Sequence, residues 1–231
     1  MHTTVICASV LWGIATGLTL PGAAHQFAGA PGQPWRTAVR CGWRGWLTRS
    51  QDQPAWWPVL LTAFACAVVA QAAGTAPEVA IWLLLVPWGV LLARIDIRVH
   101  RLPDLLTLPA AGAVVVLLAL AALLPGHAGS WPRAALGALA LAGGYFVMLL
   151  INPSGLGFGD VKLALTLGAV MGWYGWRTLL TGTVAGVFLA GAAAAMLLVT
   201  GRATRTSTLP FAPFMLTGAL AGLLLGATGG A

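Results

Sequence analysis

Charge is what this 231-residue chain has least of. Only 7% of its residues are charged, against roughly 25% in an ordinary soluble domain. Five are acidic, and the one lysine, Lys162, stands among eleven arginines. With 59% of the residues hydrophobic, a soluble fold is excluded, because it has no use for so much apolar surface. Cysteine is also scarce: Cys7, Cys41 and Cys66 are scattered, and no Cys-x-x-Cys occurs. Neither a zinc site nor a disulfide framework is expected from that spacing. No lysine or arginine precedes the first apolar run, so it lacks the basic start of a signal peptide and is read as an uncleaved span. The net charge of +7 resembles a nucleic-acid footprint, but in a chain this apolar it points to cytoplasmic loops held by the positive-inside rule.

What remains is a series of long apolar runs. Bounded by Pro, Gly and charge, they predict an all-α polytopic membrane protein with about eight transmembrane helices, at 4–21, 57–73, 78–95, 105–124, 132–151, 161–176, 178–200 and 210–228. Residues 1–231 are expected to form a single membrane domain. With both termini outside, the inner loops hold Arg36, Arg40, Arg44, Arg49, Arg94, Arg98, Arg101, Lys162, Arg202 and Arg205, leaving only Arg133 and Arg177 outside. A seven-span chain would place Arg202 and Arg205 on the wrong side. The break between the sixth and seventh spans, Gly172 to Arg177, is weak and rich in interfacial aromatics.

The one long connection, 22–56, is a cytoplasmic basic loop with four arginines spaced by four or five residues and Trp35, Trp43 and Trp46 between them. From Pro34 to Arg49 it fits either a basic amphipathic helix lying on anionic lipid or a solvated loop that anchors topology. It carries no base-reading motif, so no nucleic-acid partner is expected. Gly137, Gly143, Gly144, Gly182, Gly186 and Gly191 recur at spacings that suit close helix packing.

Two short stretches carry the chemistry: Arg94-Ile-Asp-Ile-Arg-Val-His-Arg-Leu-Pro-Asp104 and Gly155-Leu-Gly-Phe-Gly-Asp-Val-Lys162. Each sets an aspartate at the edge of an apolar run. An ionisable group at membrane depth costs about 2.5–3.5 kcal/mol on insertion scales, which makes it a functional candidate. Two carboxylates held close share a proton, so one activates water while the other donates to a carbonyl. Asp96, ending the third span, and Asp160, starting the sixth, are the candidates. The helix dipole favours ionised Asp160 and disfavours ionised Asp96, whereas Arg94 and Arg98 pull Asp96 the other way. These effects are comparable in size, so the sequence leaves acid and base open within the dyad; Asp160 as base and Asp96 as acid is the hypothesis carried forward. Gly157 and Gly159 offer backbone angles closed to other residues and a bare approach for a second backbone. Asp104 follows Arg101 and Pro103 and is expected to N-cap the fourth span. Lys162 would steady a carboxylate or substrate carbonyl, or else serve as a snorkelling anchor. His25, His100 and His127 have no partner pattern, and Ser154 has no His or Asp arranged for nucleophilic catalysis.

At these residues the chain resembles the type IV prepilin peptidases, GxGD aspartyl proteases of bacterial membranes. The likeness runs through Asp96 to Pro109, then Gly157-Phe-Gly-Asp-Val-Lys162, then Leu209-Pro-Phe-Ala-Pro-Phe214 before the last span, over roughly 80–228. The resemblance implies that Asp96 and Asp160 are the catalytic pair. It further implies cleavage of a short basic leader, after a glycine, from prepilins or pseudopilins. The site would face the cytoplasm in the bacterial cytoplasmic membrane, with substrate arriving through the lipid bilayer. Many members carry two Cys-x-x-Cys pairs in the first cytoplasmic loop and methylate the new N-terminus from S-adenosylmethionine. This chain resembles a short form without that tetrad, so no cofactor, metal or methyl transfer is expected. Two other readings stand beside the protease: an inactive membrane scaffold for pilus or secretion assembly, and a small-solute transporter. A transport site would lie near mid-membrane between broken helices, whereas these aspartates lie at span ends.

Overall fold

The computed structural model describes residues 2–27, 56–153, 155–202, 204 and 209–228. Every regular element among them is a helix: α1 (His2–Phe27), α2 (Trp56–Ala73), α3 (Val79–Val99), α4 (Asp104–Ala121), α5 (Trp131–Ile151), α6 (Phe158–Tyr174), α7 (Trp176–Val199) and α8 (Ala212–Thr228). Six of these are long and apolar enough to cross a membrane. The other two, α6 and α8, have 17 residues each, roughly 26 Å of helix against a hydrocarbon core of about 30 Å. Most of the basic loop expected at 22–56 lies outside the described residues, Cys41 included.

The chain divides into two compact units, residues 1–99 and 100–231. In the first, α1, α2 and α3 pack pairwise. Gly13 and Gly17 bring α1 onto the backbone of α2: a Cβ at Gly13 would lie 2.6 Å from Ala63 Cα, and one at Gly17 2.7 Å from Val59 Cα. This small-xxx-small seam lets dispersion between backbones replace the hydrophobic drive that lipid removes. The Trp12 indole donates to the Leu83 carbonyl at 2.8 Å, tying α1 to α3. Helix α1 continues past the expected end at residue 21. Pro21 lies inside it, and Leu20, Ala23 and Ala24 are buried, so packing carries the helix through a residue that reads as a stop.

In the second unit α6 is the axis, packed by α4, α5, α7 and α8. Nearly all of it from Asp160 to Trp173 is buried, so protein rather than lipid surrounds it and its shortness leaves little polar backbone to hydrocarbon. Glycine sets two of its contacts. A Cβ at Gly168 would lie 2.4 Å from the Gly137 carbonyl oxygen, and one at Gly172 2.7 Å from that of Arg133. Helices α7 and α8 meet similarly through Gly182 and Gly186 against Gly218 and Gly222. Of the glycines expected to pack, Gly137, Gly182 and Gly186 do so. At Gly143, Gly144 and Gly191 an added methyl would meet no atom within 4 Å, because spacing alone does not tell which face of a helix meets a neighbour. The break between α6 and α7 is one residue, Gly175, whose φ of 137° is closed to other residues. Apolar side chains along α7, among them Leu180, Val184 and Phe188, are exposed, as a lipid-facing surface requires.

Candidate active site

The Gly155-Leu-Gly run keeps helix from starting until Phe158, with Gly157 as an extended N-cap at φ −90° and ψ 150°. Asp160 is then the third helical residue. Its Oδ2 accepts the Gly157 backbone N–H at 3.0 Å, and its own N–H donates to the Gly157 carbonyl at 3.0 Å. A carboxylate here satisfies one of the donors a helix start leaves open, and the dipole favours its charge. Asp160 is nonetheless only 7% exposed. That combination, a buried carboxylate on the first turn of the unit's central helix, is the chemical feature of the second unit.

Asp96 lies in the last turn of α3, which ends at Val99, and is 5% exposed. Ile95 and Leu92 beside it are fully buried, whereas Ile97 and Arg98 face outwards. Arg94, two residues earlier, is also buried and stacks over the Trp57 ring of α2, 4.8 Å from its centroid. Its Nη1 has no hydrogen-bond partner among the described residues. Nothing in the local sequence signals the Arg94–Trp57 pair, because the two lie on different helices, far apart along the chain.

The remaining candidates fall on the two sides of one contact in the second unit. Arg101 is exposed, and Pro103 is buried as the N-cap of α4, its carbonyl taking the N–H groups of Leu106 and Thr107. Asp104 is not the cap that was expected. It is the first helical residue, and its Oδ1 takes an ion pair from Lys162 Nζ at 2.5 Å. Proline already supplies the extended geometry of a cap, which frees the aspartate for a partner on α6. Lys162 Nζ also lies 4.7 Å from the Phe158 ring centroid.

Gly159 packs against Leu102, where an added Cβ would be 2.8 Å from Leu102 Cβ. Gly157 is looser, since its added Cβ would be 3.4 Å from Asp160 Oδ2. Neither glycine has a positive φ. The expectation of unusual backbone angles is therefore corrected: Gly159 is small because Leu102 is close, and Gly157 has ordinary extended geometry. In the Leu-Pro-Phe-Ala-Pro-Phe segment, the Phe211 carbonyl accepts the N–H groups of Phe214 and Met215 in the first turn of α8, and its ring meets Tyr145 of α5 edge-on at 5.8 Å. Among the described residues no three His, Cys, Asp or Glu side chains cluster as a metal site.

Residues 83–227, well over half of the chain, match the type IV leader peptidase family. The chain belongs to that family. The matched stretch contains Asp96, Asp104, Asp160 and Lys162. Similar curated proteins include the prepilin leader peptidase/N-methyltransferase of Stutzerimonas stutzeri, 31% identical over 150 residues, 62% of this chain and 49% of that protein. The protein of the same name from Burkholderia pseudomallei strain 1026b is 35% identical over 144 residues, 58% of this chain and 43% of that one. The leader peptidase HopD of Salmonella typhimurium is 33% identical over 147 residues, 60% of this chain and 86% of HopD. The chain thus spans about half the length of the first two relatives. No solved structure matches it.

Proposed function

We propose that this member of the type IV leader peptidase family is an aspartyl endopeptidase that removes the leader from prepilins or pseudopilins at the cytoplasmic face of the bacterial cytoplasmic membrane. The observation that supports it most directly is the pair of buried aspartates, Asp96 at the end of α3 and Asp160 at the start of α6, within the stretch that matches the family. Of the three buried acidic side chains among the described residues, Glu78, Asp96 and Asp160, only the two aspartates lie within that stretch.

In this reading Asp160 begins ionised, held so by the N-terminus of α6 and the Gly157 N–H, and Asp96 begins protonated at a helix C-terminus. Asp160 takes a proton from water as the oxygen attacks the scissile carbonyl, and Asp96 gives its proton to the carbonyl oxygen. When the tetrahedral intermediate collapses, the C–N bond breaks, the amine leaves with the proton from Asp160, and the hydroxyl proton returns to Asp96. Gly157, Gly159, Arg101, Pro103, Asp104 and Lys162 support the two carboxylates. The proposal requires no metal or cofactor. It leaves aside the methyl transfer in the names of the longer relatives, because the cysteine pairs tied to it by resemblance are missing from this sequence.

The test is co-expression with prepilins from the same genome, comparing leader removal by wild type, Asp96→Asn and Asp160→Asn. Both variants are expected to insert normally and to lose processing by about a thousandfold or more, the usual scale for removing a carboxylate that moves a proton. Full processing by either variant removes that residue from the chemistry. A wild type that inserts yet processes nothing favours the scaffold reading.

A further inference from the structure

We infer that Asp104 and Lys162 act as a positioning pair that holds the first turn of α6, and with it Asp160, against the segment leading into α4. The inference rests on the reading of Asp160 as one of the two acting carboxylates.

The first turn of a helix is where backbone donors lack intrahelical partners and where helices fray. Here the preceding Gly155-Leu-Gly offers little side-chain packing to steady it. Besides the Gly157–Asp160 hydrogen bond, a short segment, Leu102-Pro-Asp104, touches the turn at two points. Leu102 closes on Gly159, and Asp104 pairs with Lys162. Asp160 lies between those two contact points in sequence, so displacement of either one moves the carboxylate.

Lys162 itself does not point to direct chemistry. Residues two apart on a helix face different directions, so its ammonium is turned away from the Asp160 side chain and works through the backbone. Nor is it a snorkelling anchor, which would leave the charge in water. Its side chain is 12% exposed, and its ammonium lies over the Phe158 ring and pairs with Asp104. Asp104 is 65% exposed, so the pair adds little to global stability, as exposed ion pairs generally do. A contact weak in stability but placed on the turn that carries a reacting group matters for geometry, and small misplacements of such groups are costly to rate.

The test uses the full chain in lipid nanodiscs with three variants: Asp104→Asn, Lys162→Gln and the double. Hydrogen exchange of the amides at 157–161 reads the turn directly and does not depend on catalysis. Each single variant is expected to speed that exchange by about tenfold, with the double no faster than either single, as for residues acting as one unit. In the prepilin cleavage assay the singles and the double are expected to lose turnover by a similar factor of about ten, with KM unchanged. Unchanged exchange in Asp104→Asn overturns the inference, and so does a double whose loss equals the product of the two singles. Loss of turnover in Lys162→Gln alone also overturns it, by making Lys162 a direct participant. If wild type cleaves nothing, the proposed function falls while exchange still decides the pair. If Lys162→Gln fails to insert, the exposed Asp104→Asn carries the exchange comparison by itself.

Discussion

Replacing Gly159 with alanine sets a methyl carbon 2.8 Å from Leu102 Cβ and 3.4 Å from its Cγ and Cδ1. Carbon atoms rest at about 3.5–4.0 Å, so the two segments must separate by roughly 1 Å. The near atom is a Cβ, fixed to the backbone, and no rotamer change of Leu102 relieves it. The start of α6 therefore moves, and Asp160, its next residue, moves with it. Overpacking of this kind costs about 1–3 kcal/mol of stability. A displacement of about 1 Å at a reacting group lowers turnover on the order of a hundredfold. Gly157→Ala is the control. Its added Cβ lies at an ordinary 3.4 Å from Asp160 Oδ2, and its φ of −90° suits alanine, so turnover is expected within about threefold of wild type, RT ln 3 being under about 1 kcal/mol. The assay is leader cleavage in nanodiscs followed by gel shift, with thermal unfolding measured alongside. Leu102→Gly should restore much of what Gly159→Ala loses, because it removes the opposing carbon, whereas Leu102→Ala should not. Equal losses in Gly157→Ala and Gly159→Ala, at unchanged stability, would refute the packing argument and favour a role for both glycines in substrate approach.

Two further outcomes follow from the second unit. Gly168→Ala drives a methyl to 2.4 Å from the Gly137 carbonyl oxygen and is expected to lower stability by about 1–3 kcal/mol, whereas Gly143→Ala or Gly191→Ala meets no atom within 4 Å and should gain about 0.5–1 kcal/mol from helix propensity. Thermal unfolding in detergent distinguishes the two signs. Thr166, buried on α6, has a hydroxyl with no partner among the described residues, so Thr166→Val, which keeps the shape, is expected to leave stability unchanged or raise it by about 1 kcal/mol in the same measurement.

Much of this protein is legible in its residues alone. Scarcity of charge over long apolar runs leaves only a membrane class, because a lipid-embedded backbone must satisfy its own hydrogen bonds and helices do so locally. The runs therefore mark the helices within a few residues, except where tertiary packing overrides a local stop, as at Pro21 in α1. The pairing of Asp96 with a Gly-x-Gly-Asp motif was likewise enough to name the family, because ionisable groups are so few in such a chain that each carries information.

Contacts between helices were not legible, since they depend on which face of each helix meets which neighbour. Sequence spacing treats Gly137 and Gly143 alike, yet only the first lies against another backbone. It puts Asp104 at a cap and leaves open whether Lys162, 58 residues away, meets a carboxylate, a substrate carbonyl or water; folding joins the two, and makes Gly159 small for the sake of Leu102. Composition and motif determined what this chain is made to dissolve in and which family it belongs to, because those are properties of residues taken one run at a time. Only the tertiary structure decided that the short sixth helix is the enclosed axis of its unit, and which neighbours hold its acidic first turn, because both arise from distances between remote segments.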